Sequence, residues 1–293
     1  MRYLQLDVFS RRAGGGNPLG VVFGADAWTD AAMQRFAAWT GLVETTFVLA
    51  PRDPAASYRL RIFTPSREIA FAGHPTVGSA HAVIETGFAA ARDGRLLQEC
   101  GAGVLPVRIE GEGAARQLAV EAPRARVLRD GLRAHELLPA ALGGVALGAL
   151  PPAFVEGGRR WWVAELADEP TLRAWRPDHA AIGALARASD SLGVCAFARS
   201  SDPAFELVVR AFPAGVGILE DPASGAANGL VGTYIAAREP DGALARGYRV
   251  SQGREIGHDA SLTVRVEGDG GVWVGGQTHT VIDGTLRWPA PSG

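Results

Sequence analysis

The chain contains no lysine; all 29 of its basic residues are arginine. That absence excludes an internal Schiff base, hence ordinary pyridoxal-phosphate chemistry, and it excludes a P-loop lysine. Cysteine is almost missing: Cys100 and Cys195 lie far apart, form no CxxC pair or zinc spacing, and read as small buried apolar residues. There are only two asparagines, Asn17 and Asn228. No G-x-G-x-x-G follows a strand, which removes the usual dinucleotide site. No apolar run approaches the ~18 residues of a membrane span, because the longest candidate, Ala141 to Val155, is broken by glycines and by Pro151-Pro152. Nor is there an excess of charge of one sign: 31 acidic residues face 29 basic ones, so neither nucleic acid nor an anionic membrane is expected as a partner. The opening MRYLQLDVF alternates like a strand and lacks a signal peptide's apolar block, so a cytoplasmic chain is expected.

What is present is enough for two cores: 293 residues, 47% of them hydrophobic. Short β-branched segments bounded by Gly, Pro or Asp dominate, among them Tyr3 to Phe9, Thr45 to Leu49, Tyr58 to Phe63, Phe205 to Phe212 and Tyr248 to Gln252. Few helices interrupt them. One follows Phe71-Ala-Gly-His-Pro and is predicted from about Thr76 to Glu85; the other follows Glu220-Asp-Pro-Ala-Ser-Gly and is predicted from about Ala226 to Ala237. Each half therefore offers a strand, a Gly/Pro turn and an apolar, small-residue helix, a pseudo-repeat whose natural class is α+β. The turn-like GEGAAR before Gln117 sets the expected domains at 1–116 and 117–282, with 283–293 completing the first.

A helix amino end presents unpaired N–H groups and a positive dipole end. Two such ends facing a cleft would hold a carboxylate, with Gly73, Gly78, Gly225 and Ala226 allowing close approach. Ordinary capped helices in tight cores explain the same residues. Glu44, between apolar neighbours and directly before a β-branched strand, should be partly desolvated, which raises a carboxyl toward the range useful for proton transfer. His74 and Asp221 each precede a proline in a helix-entry turn. Each also has an ordinary reading, as a strand-edge charge, a turn former or a helix-entry device. His74 and His81 lack an acidic partner for a metal site, and Arg159-Arg-Trp-Trp reads as packing rather than a nucleic-acid patch.

Several motifs occur together and in order: Leu6-Asp-Val-Phe, Gly16-Asn-Pro-Leu-Gly-Val-Val, Glu44-Thr-Thr-Phe-Val, Arg61-Ile-Phe-Thr-Pro with Glu68, Phe71-Ala-Gly-His-Pro-Thr-Val-Gly, Glu220-Asp-Pro-Ala-Ser-Gly, Gln252-Gly and Val274-Gly-Gly. In these the chain resembles the PhzF-like family of phenazine biosynthesis, within the diaminopimelate-epimerase-like superfamily. The resemblance implies two similar domains, each a curved sheet around a central helix, an active site between them, commonly a homodimer, and no metal or organic cofactor. It implies Glu44 as general acid/base, with His74 and Asp221 binding substrate and assisting proton transfer. Asn17, Gly73, Pro75, Thr76, Ser224, Gly225 and Ala226 are the expected substrate-binding positions. The expected activity is isomerisation of a small carboxylic acid in secondary metabolism.

Superfamily racemases carry a cysteine in each helix-entry turn, where this chain has Ala72 and Asp221, so a two-thiol racemase is not expected. Ala226 departs from the family's serine, and Ser224 or Asn228 is the candidate to compensate. A hydrolase or lyase using the same carboxylate, or a non-catalytic small-acid binder, stays open.

Overall fold

The computed structural model describes residues 1–288. It is an α+β protein with two compact units, one formed by Met1–Glu121 with the segment from Gly275 onward, the other by Ala122–Val274. Strand Thr278–Thr285 completes the first unit by pairing antiparallel with Arg2–Val8; residues 289–293 of the expected completing segment lie outside the described residues.

In the first unit, Arg2–Val8 pairs antiparallel with Asn17–Phe23, which runs parallel to Thr45–Leu49. That strand pairs antiparallel with Tyr58–Phe63, which runs parallel to Arg95–Cys100, and Gly103–Glu110 and Gln117–Glu121 follow antiparallel. The second unit repeats the order. Ala153–Gly157 pairs antiparallel with Arg159–Glu165, then Val194–Arg199 parallel, Leu207–Phe212 antiparallel, Gly247–Gln252 parallel and Ala260–Val266 antiparallel. Parallel neighbours need a crossover, usually helical, and each unit has two. One crossover in each is the central helix: Gly73–Glu85 in the first, Gly225–Arg238 in the second.

Both central helices are apolar nearly all round, as buried helices are, and small residues let the sheet close on them. A Cβ on Gly78 would stand 2.5 Å from Leu19 Cδ2 and 2.7 Å from Val8 Cγ2; one on Gly232 would stand 2.9 Å from Val264 Cγ1. Strand alternation then directs side chains to two buried faces. In Thr45–Leu49 the inward Thr46 hydroxyl meets Ser79 on the central helix at 2.9 Å, while Phe47 and Leu49 pack outward on Met33, Phe36 and Ala37. Those three lie on Asp30–Thr40, a helix capped by the Thr29 hydroxyl and ended by Gly41 at φ 66°. In the second unit Leu138, Leu172, Ile182 and Leu185 from outer helices pack on Trp162, Val194, Val208 and Phe212.

The strands Arg95–Cys100, Arg126–Asp130 and Ala153–Gly157 and the outer helices Asp30–Thr40, Leu138–Leu142, Glu169–Ala174 and His179–Ser189 stand beyond the elements read from the sequence. The central helices begin at Gly73 and Gly225, ahead of the expected Thr76 and Ala226, so His74 and Pro75 lie in the first turn of their helix while Asp221 to Ser224 lead into theirs. Among the described residues no helix is long and apolar enough to cross a membrane.

Candidate active site

Glu44 is the last residue before strand Thr45–Leu49, and its side chain is 12% exposed. The strand delivers it to the start of the Gly73–Glu85 helix, where its Oε2 lies 3.4 Å from His74 Nε2. Asn17, the buried first residue of its strand, places Nδ2 3.5 Å from His74 Nδ1. The imidazole is further tied by a hydrogen bond to the Pro18 carbonyl, but burial outweighs that bond and pushes the ring down to about 3. His74 is therefore neutral at physiological pH. Pro75 falls in the first turn, where its missing N–H costs nothing. The helix's N-cap residue, Ala72, contributes no side-chain cap, so the N–H groups of Gly73 and His74 open the helix without one. Thr76 is fully buried, and its hydroxyl accepts from Gln98 Nε2 at 3.1 Å. Gln98 in turn accepts from the Tyr58 hydroxyl at 2.9 Å. The structure thus brings Glu44, His74 and Asn17 together and commits the Thr76 side chain to the core.

In the second unit Asp221 donates its N–H to the Ala211 carbonyl at 2.9 Å, which hangs the turn from strand Leu207–Phe212. Its Oδ1 accepts from the Ala223 N–H at 3.2 Å. Burial pushes the Asp221 carboxyl up, against the lowering effect of its bonds to Ala223 and the Ser224 hydroxyl. Ser224 is the N-cap, its Oγ accepting from the Ala227 N–H at 3.3 Å. Gly225 is buried and Ala226 exposed. The position where a hydroxyl is missing therefore does face outward. Neither candidate for compensation has its donor to spare: the Ser224 hydroxyl is committed to the cap and to Asp221. Asn228 is fully buried with Nδ2 on the Ser224 carbonyl and Gln252 Oε1, at 2.8 and 2.9 Å.

Each turn also rests on an arginine–carboxylate fork that reasoning from isolated residues did not single out. Arg61 donates Nε and Nη2 to the two Glu68 oxygens at 2.7 and 2.6 Å, and Nη1 to Asp30 at the start of its outer helix. Arg210 donates to the two Glu220 oxygens at 2.9 and 2.8 Å, and its Nη1 reaches the Leu172 and Trp175 carbonyls that end the Glu169–Ala174 helix. The signal was in the sequence. Arginine stands two residues before phenylalanine in both strands, with a glutamate seven or ten positions on.

Comparison with known proteins finds similarity over nearly the whole chain. The family model for phenazine biosynthesis-like protein (PhzC-PhzF) matches residues 6–284. The chain is 34% identical to antisense-enhancing sequence 1 of Schizosaccharomyces pombe, covering 96% of this chain and 97% of that protein. It is 32% identical to trans-2,3-dihydro-3-hydroxyanthranilate isomerase of Pseudomonas aeruginosa, covering 92% and 91%. The crystal structure of the Bacillus anthracis PhzF-family phenazine biosynthesis protein superposes with a TM-score of 0.86 at 25% identity, covering 98% of this chain and 99% of that one. By the family match and by the shared fold, the chain belongs to the phenazine biosynthesis-like family.

Proposed function

We propose that this protein is an isomerase that moves a proton within a small carboxylic acid, with Glu44 as the proton carrier. The observation that carries the reading is the Glu44–His74 pair at the amino end of a buried helix, 3.4 Å apart. In the proposed reaction Glu44 takes a proton from an activated C–H. The electrons of that bond shift the neighbouring double bond, and Glu44 returns the proton to another carbon. Atoms and electrons balance with no oxidant or reductant. A carboxylate in a mostly desolvated setting suits this task, since the proton must be both taken and given back.

The neutral imidazole of His74 fits a hydrogen-bonding partner rather than a second base, because protonating it at that site is costly. Asn17, touching the other ring nitrogen, would fix the ring's orientation. Asp221 enters the proposal through the family motif, as a substrate-binding residue, and its raised carboxyl suits hydrogen-bond donation. The name of the Pseudomonas aeruginosa relative makes trans-2,3-dihydro-3-hydroxyanthranilate the first compound to try.

Incubation with that compound and with a panel of small unsaturated and amino-bearing acids in deuterated water tests the reading. An isomerase gives a product of unchanged composition carrying solvent deuterium. A product of changed mass would instead support a hydrolase or lyase. Binding without exchange across the panel would support the non-catalytic alternative that Ala226 favours.

A further inference from the structure

We propose that Gln252 is a positioning residue for Asp221, its side-chain amide setting the geometry of the turn from Asp221 to Ser224. Gln252 ends strand Gly247–Gln252, opposite Val209 of the parallel neighbour, and is fully buried. Every polar atom of its side chain is used on the turn or on the helix that follows. Nε2 donates to the Asp221 carbonyl at 2.8 Å, and Oε1 accepts from the Ser224 N–H at 3.2 Å and from Asn228 Nδ2 at 2.9 Å. One planar amide thus grips the first and last residues of a four-residue turn, and Asn228 closes the ring through the Ser224 carbonyl at 2.8 Å.

The next residue carries a second, independent sign that this placement is built. Gly253 has φ 91°, and a Cβ there would stand 2.6 Å from the Pro222 carbonyl oxygen. The chain leaving Gln252 folds back onto the same turn, in a conformation and at a distance that favour glycine. Burying an amide is costly unless all its bonds are made, and a satisfied buried amide specifies one geometry where an aliphatic side chain would allow several. The geometry specified here is the one in which the Ala223 N–H and the Ser224 hydroxyl reach the Asp221 carboxyl. The bearing of Gln252 on turnover rests on the isomerase reading; its bearing on Asp221 does not.

The test uses the whole protein without substrate. The Asp221 carboxyl is followed by carbon NMR across pH and identified by the loss of its signal in Asp221→Asn. In Gln252→Leu the Asp221 carbonyl and Ser224 N–H lose their partner and recruit water, so the Asp221 midpoint falls toward the ordinary carboxylate value. In Gln252→Glu the acceptors survive, the donor is lost and a negative charge is added, so the midpoint rises above that of the wild-type protein. A merely structural glutamine would lower thermal stability and leave both midpoints in place. Midpoints unmoved, or moved in the opposite directions, in variants with native circular dichroism would overturn the proposal. If Gln252→Leu does not fold, the near-isosteric Gln252→Glu decides alone. Loss of the isomerase reading through intact turnover in Glu44→Gln would leave this result standing.

Discussion

The Gly73 turn of the first unit and the Gly225 turn of the second occupy the same place in the same strand order, between an outward-facing arginine strand and its parallel neighbour. In each, the fourth residue of the helix, Thr76 or Asn228, is buried and bonded to a glutamine from that neighbour, Gln98 or Gln252. They differ in what the scaffold is made to hold. The first turn has no side-chain cap, and Glu44 and His74 lie against it. The second has a serine cap, a bidentate glutamine and a deeply buried ion pair under it. One repeat leaves its helix start uncapped with two ionisable side chains against it, while its counterpart ties the turn that carries Asp221 from several sides.

The largest test of that difference is in the two ion pairs. Arg210 and Glu220 have side chains only 4% and 6% exposed, whereas Glu68, the partner of Arg61, is 43% exposed. Removing one member of a buried pair strands the other, so Glu220→Gln should cost about 3–5 kcal/mol in urea unfolding. Glu68→Gln should cost about 1 kcal/mol or less. Equal costs would mean that the second turn is not the more braced of the two.

Next in size is the response to acid, which should have opposite signs in the two units. The unfolded chain protonates His74 near its ordinary 6.5, the folded chain only near 3. Stability is therefore fully present above 6.5 and is lost as pH falls toward 3, by about 2 kcal/mol at pH 5. His74→Gln should flatten that part of the stability curve. Asp221 is raised, so its contribution is present at low pH and lost as pH rises through its folded value. Asp221→Asn should accordingly stabilise the protein at neutral pH, by less than the His74 effect. Thermal melts across the acid-to-neutral range check both directions.

The smallest effect concerns the caps. Ser224→Ala should cost about 1 kcal/mol, and Ala72→Ser, which supplies a cap to a residue already extended at φ −153° and ψ 143°, should gain about 0.5 kcal/mol. Stability changes of the same sign in the two variants would contradict the contrast between the turns.

Much of this was legible without coordinates because its signals are local. Glu44, His74 and Asp221 stand in short motifs with glycine and proline beside them, and the strand–turn–helix unit occurs twice within one chain. The strand Arg95–Cys100 was not legible because it turns the polar Gln98 inward, which breaks the alternation that marks a strand. Ala153–Gly157 follows a proline pair in a glycine-rich stretch and reads as loop. The helix Asp30–Thr40 had both of its signals in view, Thr29 before it and Gly41 after it, but its only large apolar residues are Met33, Phe36 and Trp39, too short a periodic run to stand out beside the strand-rich segments. Gln252 could not be told from an edge residue, since its role depends on three partners up to 31 positions away. The neutrality of His74 is likewise a sum over tertiary burial that no short motif carries.

The proposed proton transfer rests on Glu44. Glu44→Gln keeps the shape of the side chain and its place beside His74 but removes the base. With a substrate that the wild-type protein isomerises in deuterated water, the rate of deuterium entry into product should fall by about 100- to 10,000-fold in this variant, with binding of the compound retained. Exchange within tenfold of wild type would contradict the assignment of Glu44 as the proton carrier.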